Sequence, residues 1–256
     1  MNIPFSDQFI DMLYRVPVML VSFTIHELAH GYVSYKQGDP TPKRAGRITL
    51  NPIKHIDPIG AILLLFARFG WAKPVPIDPG YYKNKKTGIM LTSFAGPLSN
   101  ILMASIGAAI FALSINSFSG FSLKQLVAAI NTQGGEGRVG NSFVSLSWVL
   151  QILINGNFYG IALTSIQSII LTLLLNFITI NILLAAFNLI PIPPLDGSKV
   201  LFPLLPTRLY YEYILPYERF GMILLIILSF TGILGFILTP FYNAVEAIII
   251  SVLTLF

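Results

Sequence analysis

The sequence predicts an all-α polytopic membrane protein of about four to six transmembrane or re-entrant helices with a small membrane-associated β element. Two observations carry this. Only 11% of the residues are charged while 54% are hydrophobic, with a mean hydropathy of +0.73, whereas soluble domains carry about 25% charged residues. The stretches from Ser165 to Ile190 and from Ile223 to Leu238 hold few or no charged side chains, and a helix crossing about 30 Å of hydrocarbon needs roughly 20 such residues.

The elements follow in chain order within one expected domain, residues 1–256. A first span is expected over residues 9–35. Pro17, His26, Glu27 and His30 interrupt the apolar run that a cleaved leader would keep, so this span is expected to stay with the chain. Residues 58–69 are apolar but too short to cross, and fit a re-entrant or interfacial element. A second span is expected over 87–115, followed by an extracytoplasmic insertion over 116–160 in which Phe143 to Ile154 reads as an interfacial helix. The third span, 161–190, dissolves at Pro191, Pro193 and Pro194, which cannot sustain a helix. A fourth covers 220–238 with Thr239-Pro240 as its break, and 241–256 either crosses again or lies in the interface. The β element is expected from Arg47–Leu50 and Val75–Ile77, short extended runs between Gly and Pro breakers.

Charge sets the orientation. Ten Lys and Arg lie in the loops before the second span and two in the insertion, an asymmetry that places the early loops in the cytoplasm. The formal charge of +5 therefore reflects topology, and no nucleic-acid partner is implied. Cysteine is absent, which excludes disulfides, a thiolate nucleophile and a cysteine-ligated metal. Any metal must be held by histidine and carboxylate.

Two of the three histidines in the chain flank a glutamate in His26-Glu27-Leu28-Ala29-His30, inside the first span. On a helix, residues four apart share a face, so both imidazoles can reach one ion. Ionisable groups in a span cost at least about 2.5 kcal/mol each on insertion scales, so they mark function by default. A catalytic zinc site has three protein ligands and an open position, and a glutamate beside the first His can take a proton from water. Glu27 is placed for that role.

The third ligand must come from His55, Asp57, Asp78, Asp196, Glu212, Glu218 or Glu246. Asp196 stands out because it lies where a spanning helix unwinds while still apolar, between Asn188 and Gly197. Irregular backbone at that depth survives only where protein or a water-filled cavity satisfies it. Gly197 is expected to allow positive φ beside the ligand. An ordinary Asp-Gly turn at the membrane surface is the competing reading. Asn100, four residues after Gly96, fits close helix packing with an interhelical hydrogen bond as well as it fits catalysis. His55 reads as a ligand, a partner of a ligand, or an interfacial His beside Asp57.

These residues resemble the site-2 proteases, intramembrane zinc metallopeptidases. The resemblance rests on His26-Glu-Leu-Ala-His30-Gly, on Gly46-Arg-Ile-Thr-Leu-Asn-Pro-Ile-Lys-His55-Ile-Asp57-Pro-Ile-Gly60, on Ala95-Gly96-Pro97-Leu-Ser-Asn100 and on Asn188 through Gly197. It covers most of the chain and is closest to the compact bacterial branch, with neither an inserted PDZ domain nor a CBS domain. It implies that His26, His30 and Asp196 ligate Zn²⁺, that Glu27 is the base, and that Asn100 and Asn188 are polar groups near the substrate or the metal. It further implies a bacterial inner-membrane protein that cuts transmembrane substrates from its cytoplasmic side, in regulated intramembrane proteolysis. A membrane metal transporter or a catalytically silent metal-binding scaffold is the alternative from another class.

Overall fold

The structure is a computed structural model describing residues 5–61, 70–132, 138–139, 143–144, 146–154, 163–201, 204–206, 208 and 220–254. The part of the expected re-entrant element beyond residue 61, and the candidate ligands Glu212 and Glu218, lie outside the described residues. The chain divides into two compact units. One holds residues 1–18, 102–182 and 239–256, and the other residues 19–101 and 183–238. Among the described residues, three helices are long and apolar enough to cross a membrane: Lys85–Ser119, Ser165–Leu189 and Ile233–Leu253.

Helix α1 runs Phe5–Lys36 through Pro17. It stops at Gly38, whose φ of 103° supplies the left-handed residue that commonly ends a helix. A short α2, Thr41–Arg44, follows. Helix α3, Lys85–Ser119, starts at Asn84, whose Oδ1 accepts the Thr87 N–H at 3.2 Å, and ends at Gly120 with φ 74°. Helix α4, Leu123–Thr132, opens with a capping box in which Ser122 and Gln125 exchange side-chain and backbone hydrogen bonds. A two-residue antiparallel pair follows, β1 Arg138–Val139 with β2 Phe143–Val144, and then α5, Leu146–Ile154. Helix α6, Ser165–Leu189, has its own capping box from Thr164 and Gln167. A turn through Pro191, Pro193 and Pro194, with a cis Pro193-Pro194 bond, leads into α7, Asp196–Leu201. Helices α8, Gly221–Phe230, and α9, Ile233–Leu253, complete the chain.

Three expectations meet a different structure. The expected span over 220–238 is divided at Thr231-Gly232, where Gly232 with φ 77° ends α8, and Pro240 lies inside α9 instead of breaking it. Glycine in the left-handed region stops a helix outright, whereas proline within an apolar helix is accommodated by its neighbours. The expected pairing of Arg47–Leu50 with Val75–Ile77 is not confirmed. The first run is bent, the second irregular, and Pro74 and Pro76 leave too few donors for a ladder. One isolated antiparallel bridge, Ile56 to Ala72, lies outside both runs. Finally, Gly197 is absent from the positive-φ glycines; a Cβ there would overlap the carbonyls of Leu189 and Ile190, so close backbone approach explains it.

The first unit has the larger apolar core. Ala104, Ala108, Phe111 and Ile115 of α3 pack with Leu123 and Leu126 of α4, Leu146, Val149 and Leu153 of α5, and Leu171, Ile178 and Ile182 of α6. The segment that sequence set aside as an insertion thus supplies a wall of this core, through the amphipathic spacing of α4 and α5. Glu246 of α9 is buried here, and its Oε1 accepts the first N–H of α5, at Leu146, at 3.0 Å. In the second unit a smaller cluster of Ile190, Leu195 and Leu225 secures the turn before Asp196.

Candidate metal centre and active site

All the groups of the site belong to the second unit. His26 and His30 lie one turn apart on α1, with rings at 86° and centroids 4.6 Å apart. Their Nε2 atoms are 3.0 Å apart. Asp196 reaches them because α6 stops at Leu189, the proline turn reverses the chain, and α7 starts at the aspartate itself. Its Oδ2 lies 3.2 Å from His26 Nε2 and 3.1 Å from His30 Nε2. These are the three residues that could hold a metal ion among those described.

The opposite ring nitrogens decide what these three atoms are. His30 Nδ1 lies 2.7 Å from the Thr92 carbonyl, which can only accept, so Nδ1 carries the proton and donates. His26 Nδ1 lies 2.5 Å from Asn100 Oδ1 and donates to it in the same way. Both Nε2 atoms are therefore lone pairs aimed at each other and at a carboxylate oxygen. Three acceptors converging at this range repel unless a cation or a proton sits between them. Ligand atoms about 2.0–2.1 Å from a tetrahedral zinc stand about 3.3 Å apart, close to the spacing seen, and a nitrogen and oxygen set suits that ion.

Gly96 of α3 makes the arrangement possible. A Cβ at this position would overlap the His30 ring and the Cε1 of His26, so only glycine lets α3 approach both imidazoles. One turn later Asn100, fully buried, meets His26. The expected Gly96-to-Asn100 packing and the polar contact to the site thus share one helix face.

Glu27 points to a different neighbour. Its Oε2 accepts the Val75 N–H at 2.8 Å, and among the described residues its Oε1 has no hydrogen-bond partner. Val75 is itself fixed by Arg47, whose Nη1 donates to the Pro74 carbonyl at 3.0 Å and whose Nη2 donates to the Lys73 carbonyl. Thr92 was not singled out by sequence, and Val75 and Arg47 were named only in the expected β runs and the family motif, not as groups of the site. Two of them act through backbone atoms, which no residue-type signal reveals; Arg47 carried one signal, a basic residue inside the Gly46-Arg-Ile run.

The remaining candidates make local contacts. Asn188 donates its amide to the Leu184 carbonyl of its own helix at 2.9 Å. His55 donates through Nε2 to the Thr49 carbonyl, and Asp57 caps the turn at Ile59 and Gly60. Asp78 accepts from Gly80, and Glu246 lies in the first unit.

Comparison with known proteins agrees with this geometry. The sequence profile of Peptidase family M50 matches residues 14–230. YwhC of Bacillus subtilis (strain 168), named as a zinc metalloprotease, is 36% identical over 233 residues, 91% of this chain and 87% of that protein. Rip2 of Mycolicibacterium smegmatis, also named as a zinc metalloprotease, is 30% identical over 91 residues, 33% of this chain and 34% of that one. No solved structure matches significantly. With the family matched over most of its length and a converging His, His and Asp set at its centre, the chain belongs to Peptidase family M50, the site-2 protease family of metalloproteases.

Proposed function

We propose that this protein is an intramembrane zinc endopeptidase that hydrolyses peptide bonds within or near transmembrane segments of membrane proteins. His26, His30 and Asp196 hold the ion and Glu27 is the general base. The observation that carries this reading is the convergence of two imidazole lone pairs and one carboxylate oxygen within 3.0–3.2 Å, with a glutamate on the adjoining residue. The names of the two relatives support zinc as the ion.

When bound, zinc supplies a Lewis acid that polarises the scissile carbonyl and lowers the pKa of the attacking water. The protein's own groups do the rest. Asn100 and the Thr92 carbonyl keep both rings in the Nδ1–H tautomer. Glu27, anchored through Oε2, offers Oε1 to take a proton from water and return it to the leaving amine. A spanning helix hides its carbonyls in its own hydrogen bonds, so the substrate must unwind locally before it is cut. Substrates with helix-weakening residues near the scissile bond fit that requirement. The concentration of Lys and Arg in the loops beside the site supports a cytoplasmic-facing active site in a bacterial inner membrane, and regulated intramembrane proteolysis as its setting.

The test is metal analysis of the purified protein beside its Glu27→Gln and Asp196→Ala variants, with cleavage of a membrane-embedded peptide. Glu27→Gln is expected to lower cleavage by about 10²- to 10⁴-fold, the usual range for a general base, with zinc near one per chain. Asp196→Ala is expected to lose zinc and activity together. Undiminished cleavage by Glu27→Gln removes the base; full zinc retention by Asp196→Ala moves the third ligand elsewhere.

A further inference from the structure

The stretch from Trp71 to Val75 crosses α1 as a strap whose polar groups are almost all assigned. Ala72 bridges to Ile56, and the Lys73 N–H donates to the His55 carbonyl at 2.9 Å. The Lys73 and Pro74 carbonyls both accept from Arg47. Pro74 has no N–H to give. The first donor on the α1 side after Lys73 is therefore Val75, and it goes to Glu27.

Arg47 is an unusual residue to spend on a loop. It is 5% exposed, and its Nε is buried with no hydrogen-bond partner among the described residues. Burying a guanidinium is costly, and the fork of two N–H groups onto two successive carbonyls is a geometry that lysine cannot copy. Burial lowers the Arg47 pKa from its ordinary value, and the negative charge of Glu27 works against that lowering. Among the described residues, the carboxylate whose charge acts on this buried cation is Glu27, the glutamate of the active site.

A second contact seats the same strap. The Val75 side chain lies against Gly31, where a Cβ would come within 3.1 Å of Val75 Cγ1. Gly31 is four residues, one helical turn, beyond Glu27, so the closeness of the strap to α1 at that turn sets how the Val75 N–H meets the carboxylate.

We propose that Arg47 is a positioning residue for Glu27. Its guanidinium fixes the Lys73 and Pro74 carbonyls, and through them holds the Val75 N–H that aims the carboxylate while leaving Oε1 for the proton. This rests on the assignment of Glu27 as the base. A misplacement of about 1 Å in such a group can cost roughly 100-fold in rate.

The experiment uses the full chain in lipid nanodiscs and a synthetic single-span peptide with a Gly-Ser pair at mid-span as substrate. Arg47→Gln is expected to lower kcat by roughly 10- to 100-fold with KM within about 2-fold and zinc unchanged, the pattern of a lost transition-state contact. Arg47→Lys should recover part of that loss. Gly31→Ala, which lifts the strap without touching Arg47, should lower kcat in the same way, and serves if Arg47→Gln does not fold. The second readout is the ¹⁵N-labelled Val75 amide resonance. It should shift on Glu27→Gln in the wild-type background and lose that response in the Arg47→Gln or Gly31→Ala background. Wild-type kcat in Arg47→Gln, a kcat loss that follows zinc loss, or an equal Val75 response in all backgrounds overturns the proposal. If Glu27→Gln itself cleaves normally, the base assignment fails, and the amide readout still reports separately whether Arg47 governs the Val75 to Glu27 contact.

Discussion

The Nδ1–H of His26 meets Oδ1 of Asn100 at 2.5 Å, across 74 residues of sequence and from one helix to another. A metal-binding histidine gains basicity and a fixed ring angle from such a partner, and losing it commonly costs about 10- to 100-fold in affinity or activity. Asn100→Ala is therefore expected to weaken zinc binding by that factor, measured by competition with a chelator. Asn100→Asp, which keeps the acceptor, should stay near wild type. A kcat/KM loss at unchanged zinc affinity would instead place Asn100 on the substrate.

Gly96→Ala tests the same wall from its other side. Alanine is the better helix former by about 1 kcal/mol, so α3 itself should not suffer. The added methyl overlaps both imidazoles, and the rings must move apart. Loss of bound zinc and of cleavage is expected with helical content unchanged by circular dichroism. Normal zinc in this variant would mean that α3 does not abut the site.

How much of this could be read in advance depends on whether the signal was local. His26 and His30 share one helical face with Glu27 between them in sequence, and three prolines before Asp196 announce an unwound helix, so spacing pointed to these four, although an Asp-Gly turn competed for Asp196 until the family resemblance was added. Asn100 carried half a signal: Gly96 and Asn100 spoke of close packing without saying against what. Thr92 and Val75 carried none, because a carbonyl and an N–H contribute through position and any residue type has them. The division of the last apolar region at Gly232 instead of Pro240 was illegible for another reason. Both residues punctuate helices, and only tertiary surroundings decide which of them does so here. The core role of α4 and α5 was hidden by the polar Gly and Ser around them.

Asp39 gives a prediction in pH. Although burial alone would raise its pKa, hydrogen bonds from Thr41, from the Asp78 N–H and from Ser34 hold it below the ordinary carboxylate value. The folded-state pKa is thus depressed relative to the unfolded chain. Its stabilisation is complete above the unfolded value of about 4 and is lost as pH falls through the lower folded value. Asp39→Ala should lower stability near neutral pH by roughly 2–4 kcal/mol, since three donors lose their acceptor. Between wild type and variant, the gap in thermal unfolding temperature should narrow as pH drops below about 4. A gap that stays constant down to the lowest accessible pH would show that the carboxylate's charge contributes nothing.

Removing the metal should destabilise the fold through the same three atoms that define the site. With both Nδ1 protons committed to Thr92 and Asn100, the metal-free protein must hold two lone pairs and a carboxylate oxygen at 3.0–3.2 Å, place a proton between them in the ion's stead, or open. A ligand that binds only the folded state stabilises it by about 4 kcal/mol at a thousand times its Kd. Treatment with a membrane-compatible chelator is expected to lower the unfolding temperature of the wild type, and added zinc to restore it. In Asp196→Ala the chelator should have almost no effect, because the site is already incomplete. That variant separates the metal's own contribution from nonspecific damage by the chelator: an equal fall in both proteins would mean that the stabilising ion lies somewhere other than between His26, His30 and Asp196.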